Sequence, residues 1–330
     1  MIKKAIVTGA TGQFGSYMIE FLLNKNYLVI GTVRRRSDDS LTRIEHLLKH
    51  DRLRIETIDI LDSGALGRLL DKEKPDELYH AAAQSFVHLS WDEPYHTSLV
   101  TGLGTTNILE AIRHNSPDTK IWFAASSEQF GRVLEIPQRE TTPFNPLSPY
   151  AAAKCYSYHM VKLYRESYNL FACSAIMFNN ESPRRGLQFV TRKITDAVAK
   201  IKIAGGGSLS LGNLDARRDW SFTGDFVEAA WRMLQQNTAD DFVLSSGETH
   251  SIKEFLEIAF SHVGLKWENY VSIDEKFKRP NDVQLLLGDS SKARKILGWK
   301  PTYTFEALIR EMVDSDLERA NGLRGTSKTV

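Results

Sequence analysis

An α/β fold, built as a doubly wound parallel sheet with a smaller and partly discontinuous α/β lobe, is what this chain of 330 residues predicts. Three observations carry that expectation. Short β-rich runs alternate with longer helical patterns through the first half, glycines cluster directly after the first run, and the second half loses the regular alternation. Ala5-Ile6-Val7 reads as a buried strand ending at Thr8-Gly9, after which Met18, Ile19, Phe21, Leu22 and Leu23 cluster at helical spacing. Tyr27 to Val33, Leu53 to Ile58 and Glu77 to Ala81 read as the second, third and fourth strands. Between the last two, Asp62 or Ser63 can cap a helix carrying Leu66, Leu69 and Leu70. A longer helix runs through residues 107–112, and Ile121 to Ala125 makes a fifth strand. Phe171 to Phe178 reads as a sixth, Gly205-Gly206-Gly207 as a turn before another β-like run, and residues 252–264 and 304–315 as helices. The polar end, Asn321 to Val330, is expected to fray. The division is placed at residues 1–178 and 179–330, with some of the second part returning to the first.

Composition narrows the class. A hydrophobic share of 42% and a charged share of 25% suffice for a large core without disulfides or metal, and no metal site is expected. With 42 basic against 41 acidic side chains there is no basic footprint, which argues against nucleic acid as a partner. Two cysteines, Cys155 and Cys173, fit a reducing compartment. Only three apolar residues separate Lys3-Lys4 from Thr8-Gly9, too few for a signal-peptide core. The longest apolar stretch, Leu170 to Phe178, is broken by Ser174 and cannot span a bilayer. The expectation is a soluble, cytoplasmic protein with no membrane partner.

The glycine cluster is the first functional signal. Gly9-Ala10-Thr11-Gly12-Gln13-Phe14-Gly15 lies between the first strand and the first helix. There, glycines let the backbone approach a pyrophosphate that the helix N-terminus stabilises, the arrangement of a Rossmann-type dinucleotide site. At the end of the second strand the chain reads Arg34-Arg35-Arg36-Ser37, with no carboxylate before Asp38. Arginine there suits the 2′-phosphate of NADP, where an acidic residue would suit NAD.

The second signal is Ser148-Pro149-Tyr150-Ala151-Ala152-Ala153-Lys154, which opens a helix with Ser148 as cap and Pro149 in the first turn. Tyr150 and Lys154 fall one turn apart, so the ammonium is expected to lower the phenol pKa and make the pair a base toward a sugar or alcohol hydroxyl. The same spacing recurs as Tyr158 and Lys162, read as packing plus a surface lysine. Ser126-Ser127-Glu128 ends the fifth strand, at the edge where parallel sheets bind ligands. Ser126 can hydrogen-bond the reacting hydroxyl. Glu128 is the informative residue, since hydride transfer alone needs no carboxylate, whereas proton removal from carbon does.

These residues together resemble the extended short-chain dehydrogenase/reductases, and more narrowly the GDP-mannose 4,6-dehydratases. The narrower likeness rests on Ala82-Ala83-Gln84-Ser85, on Phe178-Asn179-Asn180-Glu181-Ser182-Pro183-Arg184-Arg185-Gly186, and on Phe189-Val190-Thr191-Arg192-Lys193. Leu211-Gly212-Asn213-Leu214-Asp215, Arg218-Asp219-Trp220 and Leu286-Leu287-Gly288-Asp289 extend it into the second lobe. The resemblance implies a lyase in which Tyr150, Lys154 and Ser126 serve oxidation at C4, and Glu128 serves loss of water across C5 and C6. It implies that NADP is bound by Gly9, Thr11, Gly12, Gln13, Phe14, Gly15, Arg34, Arg35, Asp59, Ile60, Ala81 to Ser85, Tyr150, Lys154, Asn180 and Arg185. A GDP-sugar would meet Ser85, Ser126, Glu128, Asn179, Lys193, Arg218 and Arg279, and the Arg34-Arg35 loop would join a homo-oligomer, a dimer or a tetramer. The family usually has Thr at Ser126, His at Asn180 and Tyr at His96, and the Asn281-Asp282 pair departs from its pattern. A 4-epimerase, a UDP-glucuronate decarboxylase, a dehydratase of a GDP-manno-heptose and a non-catalytic NADP sensor stay open as alternatives.

Overall fold

The computed structural model describes residues 2–35, 41–277, 283 and 285–326. Seven parallel strands form the central sheet: β1 (Lys4–Thr8), β2 (Leu28–Val33), β3 (Leu53–Thr57), β4 (Glu77–His80), β5 (Lys120–Ser126), β6 (Ala172–Met177) and β7 (Phe242–Leu244). Their order is β7-β6-β5-β4-β1-β2-β3, so the chain reverses direction across the sheet between β1 and β4. A ligand crevice opens at such a switch point, outside the carboxyl ends of the strands.

Alternation within each strand builds both faces. Ala5 and Val7 join a core with Met18, Leu22, Phe226, Met233 and Trp299, beneath helices Gln13–Asn24, Thr223–Leu234 and Ser291–Leu297. Ile6 points the other way, into a core with Leu66, Leu70, Ile108, Ile112 and Val161, beneath helices Ser63–Glu73, Gly104–Asn115 and Pro149–Tyr168. This period-two division is what a sheet buried on both sides requires. Asp62 caps its helix by accepting from the Ala65 amide at 2.9 Å.

A third core, with Ile194, Val198, Leu211, Trp220, Phe255, Phe260, Phe305 and Ile309, belongs to the second lobe. Here the structure departs from expectation. Helices Val190–Ala204, Thr223–Leu234 and Ser291–Leu297 and the edge strand β7 are regular elements that the sequence reading did not identify. The last helix, Phe305–Thr326, runs well past the expected 304–315 and includes the first residues of the end expected to fray. Arg319 pairs with Asp316 at 2.7 Å and donates to the Pro183 carbonyl, which anchors that extension to the body of the protein. The helix at 107–112 is also longer than expected: helical structure continues from Pro94 through a wide π-turn, Ser98–Leu103, into Gly104–Asn115. Among the described residues no helix is long and apolar enough to cross a membrane.

One ion pair fastens the distant edge strand. Arg165, on the helix Pro149–Tyr168, makes a two-pronged contact with Asp241 just before β7, at 2.9 and 2.7 Å, and Asp241 also accepts from the Ser174 amide of β6. Replacing Asp241 by Ala strands a largely buried guanidinium and should destabilise the protein by about 3–5 kcal/mol. Thermal and denaturant unfolding would measure it, and a shift near zero would show that the edge is held by packing alone.

Candidate active site

The glycine loop begins with a backbone turn that favours glycine: Gly9 has φ +70°. Gly12 donates to the Gly9 carbonyl at 2.9 Å, and a Cβ on Gly15 would stand 2.2 Å from that same oxygen. The helix Gln13–Asn24 therefore starts hard against the loop. Its cap, Gly12, has no side chain, so the first-turn N–H groups are open to an anion. This cradle fits the pyrophosphate of a nicotinamide dinucleotide.

A cleft of ≈ 650 Å³ runs from the loop along the strand ends. Gly9, Thr11, Gly12, Gln13, Phe14 and Gly15 line it at one side, with Arg34, Asp59 and Ile60 toward β2 and β3. Ala81, Ala82, Ala83, Gln84 and Ser85 line it after β4, and Ser126, Glu128, Tyr150, Lys154, Asn179, Asn180 and Arg185 complete it. Gln84 fixes its own loop: the side chain donates to Thr97 Oγ1 and accepts from the Phe86 amide. Gln13 donates to the Asn180 carbonyl and Oδ1 and accepts from Ser182, so the glycine loop is tied to the segment after β6. His96 also lines the cleft.

Arg35 is different. It is exposed and does not line the cleft. Arg43, which no motif flagged, does line the cleft; its guanidinium donates to the Thr11 carbonyl at 3.0 Å and to the Arg184 carbonyl at 2.7 Å. Arg36, Ser37, Asp38, Arg279, Asn281 and Asp282 lie outside the described residues.

Tyr150 follows the cap Ser148, which accepts from the Ala151 amide at 3.1 Å, and Pro149 in the first turn. Its phenol is hydrogen-bonded to Ser126, yet burial pushes it up to about 12, against the lowering effects of Ser126 and Arg185. Lys154 does not acidify it as the spacing suggested. The ammonium reaches the Ala124 carbonyl, lies 5.9 Å from the centre of the Tyr150 ring, and is itself brought down to about 7 by burial. Desolvation outweighs the pairing because both groups sit under the sheet edge, out of water. Tyr158 faces away from the cleft, edge-on to Phe144, and Lys162 is a surface lysine near Glu166.

A second cleft of ≈ 560 Å³ opens from the first and shares Glu128, Asn179, Arg185, Gln188 and Phe189 with it. Lys193 and Arg218 line it, joined by Lys276, Phe277 and Glu181, which sequence reading missed. Lys193 stacks over Phe277 at 3.7 Å and donates to the Ser210 carbonyl. Ser85 lines the first cleft rather than this one. Glu181 is wholly buried; its carboxylate accepts from Thr191 at 2.6 Å and lies 3.1 Å from Arg185 Nε. Glu128 stands where the two clefts meet.

The chain matches the model of the family described as GDP-mannose 4,6 dehydratase over residues 6–312. It is 48% identical to GDP-mannose 4,6 dehydratase 2 of Arabidopsis thaliana over 328 residues, 96% of this chain and 88% of that protein. Among solved structures it is similar to the UDP-glucose 4-epimerase of Thermus thermophilus in complex with NAD, with a TM-score of 0.83 and 26% identity over 95% of this chain and 98% of the other. The RMD structure from Pseudomonas aeruginosa, complexed with NADPH, shares the fold with a TM-score of 0.79 at 21% identity, over 96% of this chain and all of that one.

The geometry distinguishes the two Tyr/Lys pairs. Tyr150→Phe should abolish turnover while Tyr158→Phe keeps most of it, measured as steady-state kcat; the reverse ranking would move the reactive pair to the second turn.

Proposed function

The chain belongs to the GDP-mannose 4,6-dehydratase family, and we propose that it converts GDP-mannose to GDP-4-keto-6-deoxy-mannose with NADP as its cofactor. The observation that carries this reading is the position of Glu128 at the junction of the two clefts, on the same strand end as Ser126 and across from Tyr150. The reading divides the chain into a cofactor domain at 1–178 and a mainly sugar-binding lobe at 179–330, with β7 on the sheet of the first.

The bound nicotinamide supplies a hydride acceptor and donor. Gly9, Gly12 and Gly15 admit its pyrophosphate, and Arg34 with Arg43 supplies positive charge that favours the 2′-phosphate of NADP. Asp59 and Ile60 flank the adenine end. Tyr150 takes the proton from the sugar O4, with Ser126 bonded to the phenol and Arg185 offsetting part of the cost of a buried phenolate. Once C4 is a ketone the hydrogen on C5 is acidic. Glu128 removes that proton and delivers one to the departing C6 hydroxyl, which leaves as water. Lys193, Arg218 and Arg185 line the second cleft as cations for the diphosphate, with Asn179 beside them, and Arg279 is assigned to the same role. A 4-epimerase removes no proton from C5 and does not require a carboxylate at Glu128, so that residue favours dehydration over the epimerase reading.

Cys155 and Cys173 are both free, which suits a cytoplasmic location. The resemblance of the Arg34-Arg35 loop supports a homo-oligomer.

Purified protein incubated with GDP-mannose and no added cofactor should yield a product lighter by one water, with no net NADPH formed. An unchanged sugar, even with NADP⁺ supplied, would point to another substrate, and a panel of nucleotide sugars including GDP-heptoses would identify it. Glu128→Gln should still permit slow oxidation at C4 and block the loss of water. Undiminished dehydration by that variant would remove Glu128 from the mechanism.

A further inference from the structure

A chain of buried hydrogen bonds runs beneath the cofactor cleft through side chains that the mechanism does not use. Its members are Thr8, His80, Thr105, Thr101 and Ser157, all of them 1% exposed or less. They come from the elements that make the site. Thr8 ends β1 directly before Gly9, and His80 ends β4 directly before the Ala81–Ser85 loop. Thr101 lies in the π-turn, Thr105 one turn further on, and Ser157 on the helix that carries Tyr150 and Lys154.

The distances make one continuous path. The Ala82 amide donates to Thr8 Oγ1 at 3.2 Å, and Thr8 Oγ1 is 2.8 Å from His80 Nδ1. His80 Nε2 is 3.2 Å from Thr105 Oγ1, which donates to the Thr101 carbonyl at 3.1 Å. Ser157 Oγ donates to that same carbonyl at 2.7 Å. The Gln84 amide donates to Thr101 Oγ1 at 3.2 Å, which brings in the β4 loop a second time.

Donor and acceptor counting selects one state of the imidazole. With the proton on Nε2, the Thr8 hydroxyl donates to Nδ1, Nε2–H donates to Thr105, and the Thr105 hydroxyl stays free to donate to Thr101. With the proton on Nδ1, the Thr8 hydroxyl hydrogen has no acceptor along the path, and Thr105 must turn away from Thr101 to reach Nε2. An imidazolium has the first of these defects and adds a charge. Burial, with the Lys154 charge as a lesser cause, brings the imidazole down to about 3 and keeps it neutral.

We propose that His80, as the neutral Nε2–H tautomer, is a positioning residue for this reaction, linking the glycine loop to the π-turn and, through the Thr101 carbonyl and Ser157, to the helix that bears Tyr150 and Lys154. The wide turn departs from α-helical pairing, and its Thr101 carbonyl takes two hydroxyl donors, one of them from the neighbouring helix. Three separate elements are thereby tied to each other by hydrogen bonds. Reacting groups need that constancy, because a displacement of about 1 Å can cost on the order of 100-fold in rate. The inference rests on the assignment of Tyr150 and Lys154 made above.

Three variants and one spectrum test it. Thr105→Val keeps the side-chain shape and removes the shared hydroxyl; Thr105→Ser restores it. His80→Phe keeps a ring against Phe123, whose centre lies 5.8 Å away, and removes both nitrogens. Turnover is counted per folded, cofactor-loaded protomer, with loading measured on the nucleotide released by denaturation. His80→Phe and Thr105→Val should lose about 10-fold or more in kcat with KM for the nucleotide sugar unchanged, and Thr105→Ser should recover most of the loss. Nitrogen-15 NMR of histidine-labelled wild-type holoenzyme should show a bare Nδ1 and a protonated Nε2 on His80. An unchanged kcat per loaded protomer in both disabled variants, or a proton on Nδ1, would overturn the proposal; where a variant does not fold, the wild-type spectrum decides. If Tyr150→Phe were fully active while these variants lost kcat, the assignment of Tyr150 would fail instead, so the two failures are distinguishable.

Discussion

The approach of the Gly15 backbone to the Gly9 carbonyl, too close for any Cβ, sets the distance between β1 and the first helix, and much of the site is measured from it. A side chain at Gly9, already strained at φ +70°, would press on the Ala82 backbone after β4, and one at Gly15 would lift the helix off the strand. Its open first-turn amides would then no longer face the cleft, and Gln13 would lose its reach to Asn180 and Ser182. That link matters because it joins the first fifteen residues to the segment leading into the second lobe. The constraint is steric and local, and its effect extends across the sheet because both β1 and β4 end at the same edge.

Electrostatics at that edge is governed by burial more than by pairing. Tyr150 and Lys154 are each pushed toward the neutral form, the phenol up and the ammonium down, because neither is well solvated. The groups that oppose this come from elsewhere in the chain: Ser126 from the end of β5, and Arg185 from the loop after β6, itself held by the buried Glu181 and stacked on Phe189 at 3.6 Å. Arg185 reaches both clefts, so one guanidinium influences the phenol and lines the second cleft as well. The Tyr150 phenol thus depends on the second part of the chain even though it stands in the first.

Much of the cofactor side was legible in the sequence because its signals are local. The glycine spacing, the Ser-Pro entry before Tyr150 and the strand-end position of Ser126 and Glu128 each follow from a few adjacent residues. Arg34 was legible for the same reason, as the residue following β2. Arg43 was not, since it reaches Thr11 across a gap of 32 residues that no periodicity encodes. Lys276, Phe277 and Glu181 share that character: each matters through what lies opposite it, not through its neighbours in the chain. The helices Val190–Ala204 and Thr223–Leu234 also went unread, although Ile194, Val198 and Ile201, and Phe226, Ala230 and Met233, recur at helical spacing and fill the cores beneath them.

The sequence by itself determined the fold class, the existence of the first six strands, the glycine loop and the tyrosine, serine, glutamate and lysine that line one cleft, because backbone turns and one-turn spacings are set by short-range sterics. Tertiary structure alone decided where the lysine points, that Arg43 lines the cleft beside Thr11, how Glu128 comes to stand between two clefts, and that His80 bridges two threonines. Those outcomes depend on burial and on contacts between residues far apart in the chain. A low-dielectric interior changes what a charged side chain does, and only the packed structure says which groups are inside it.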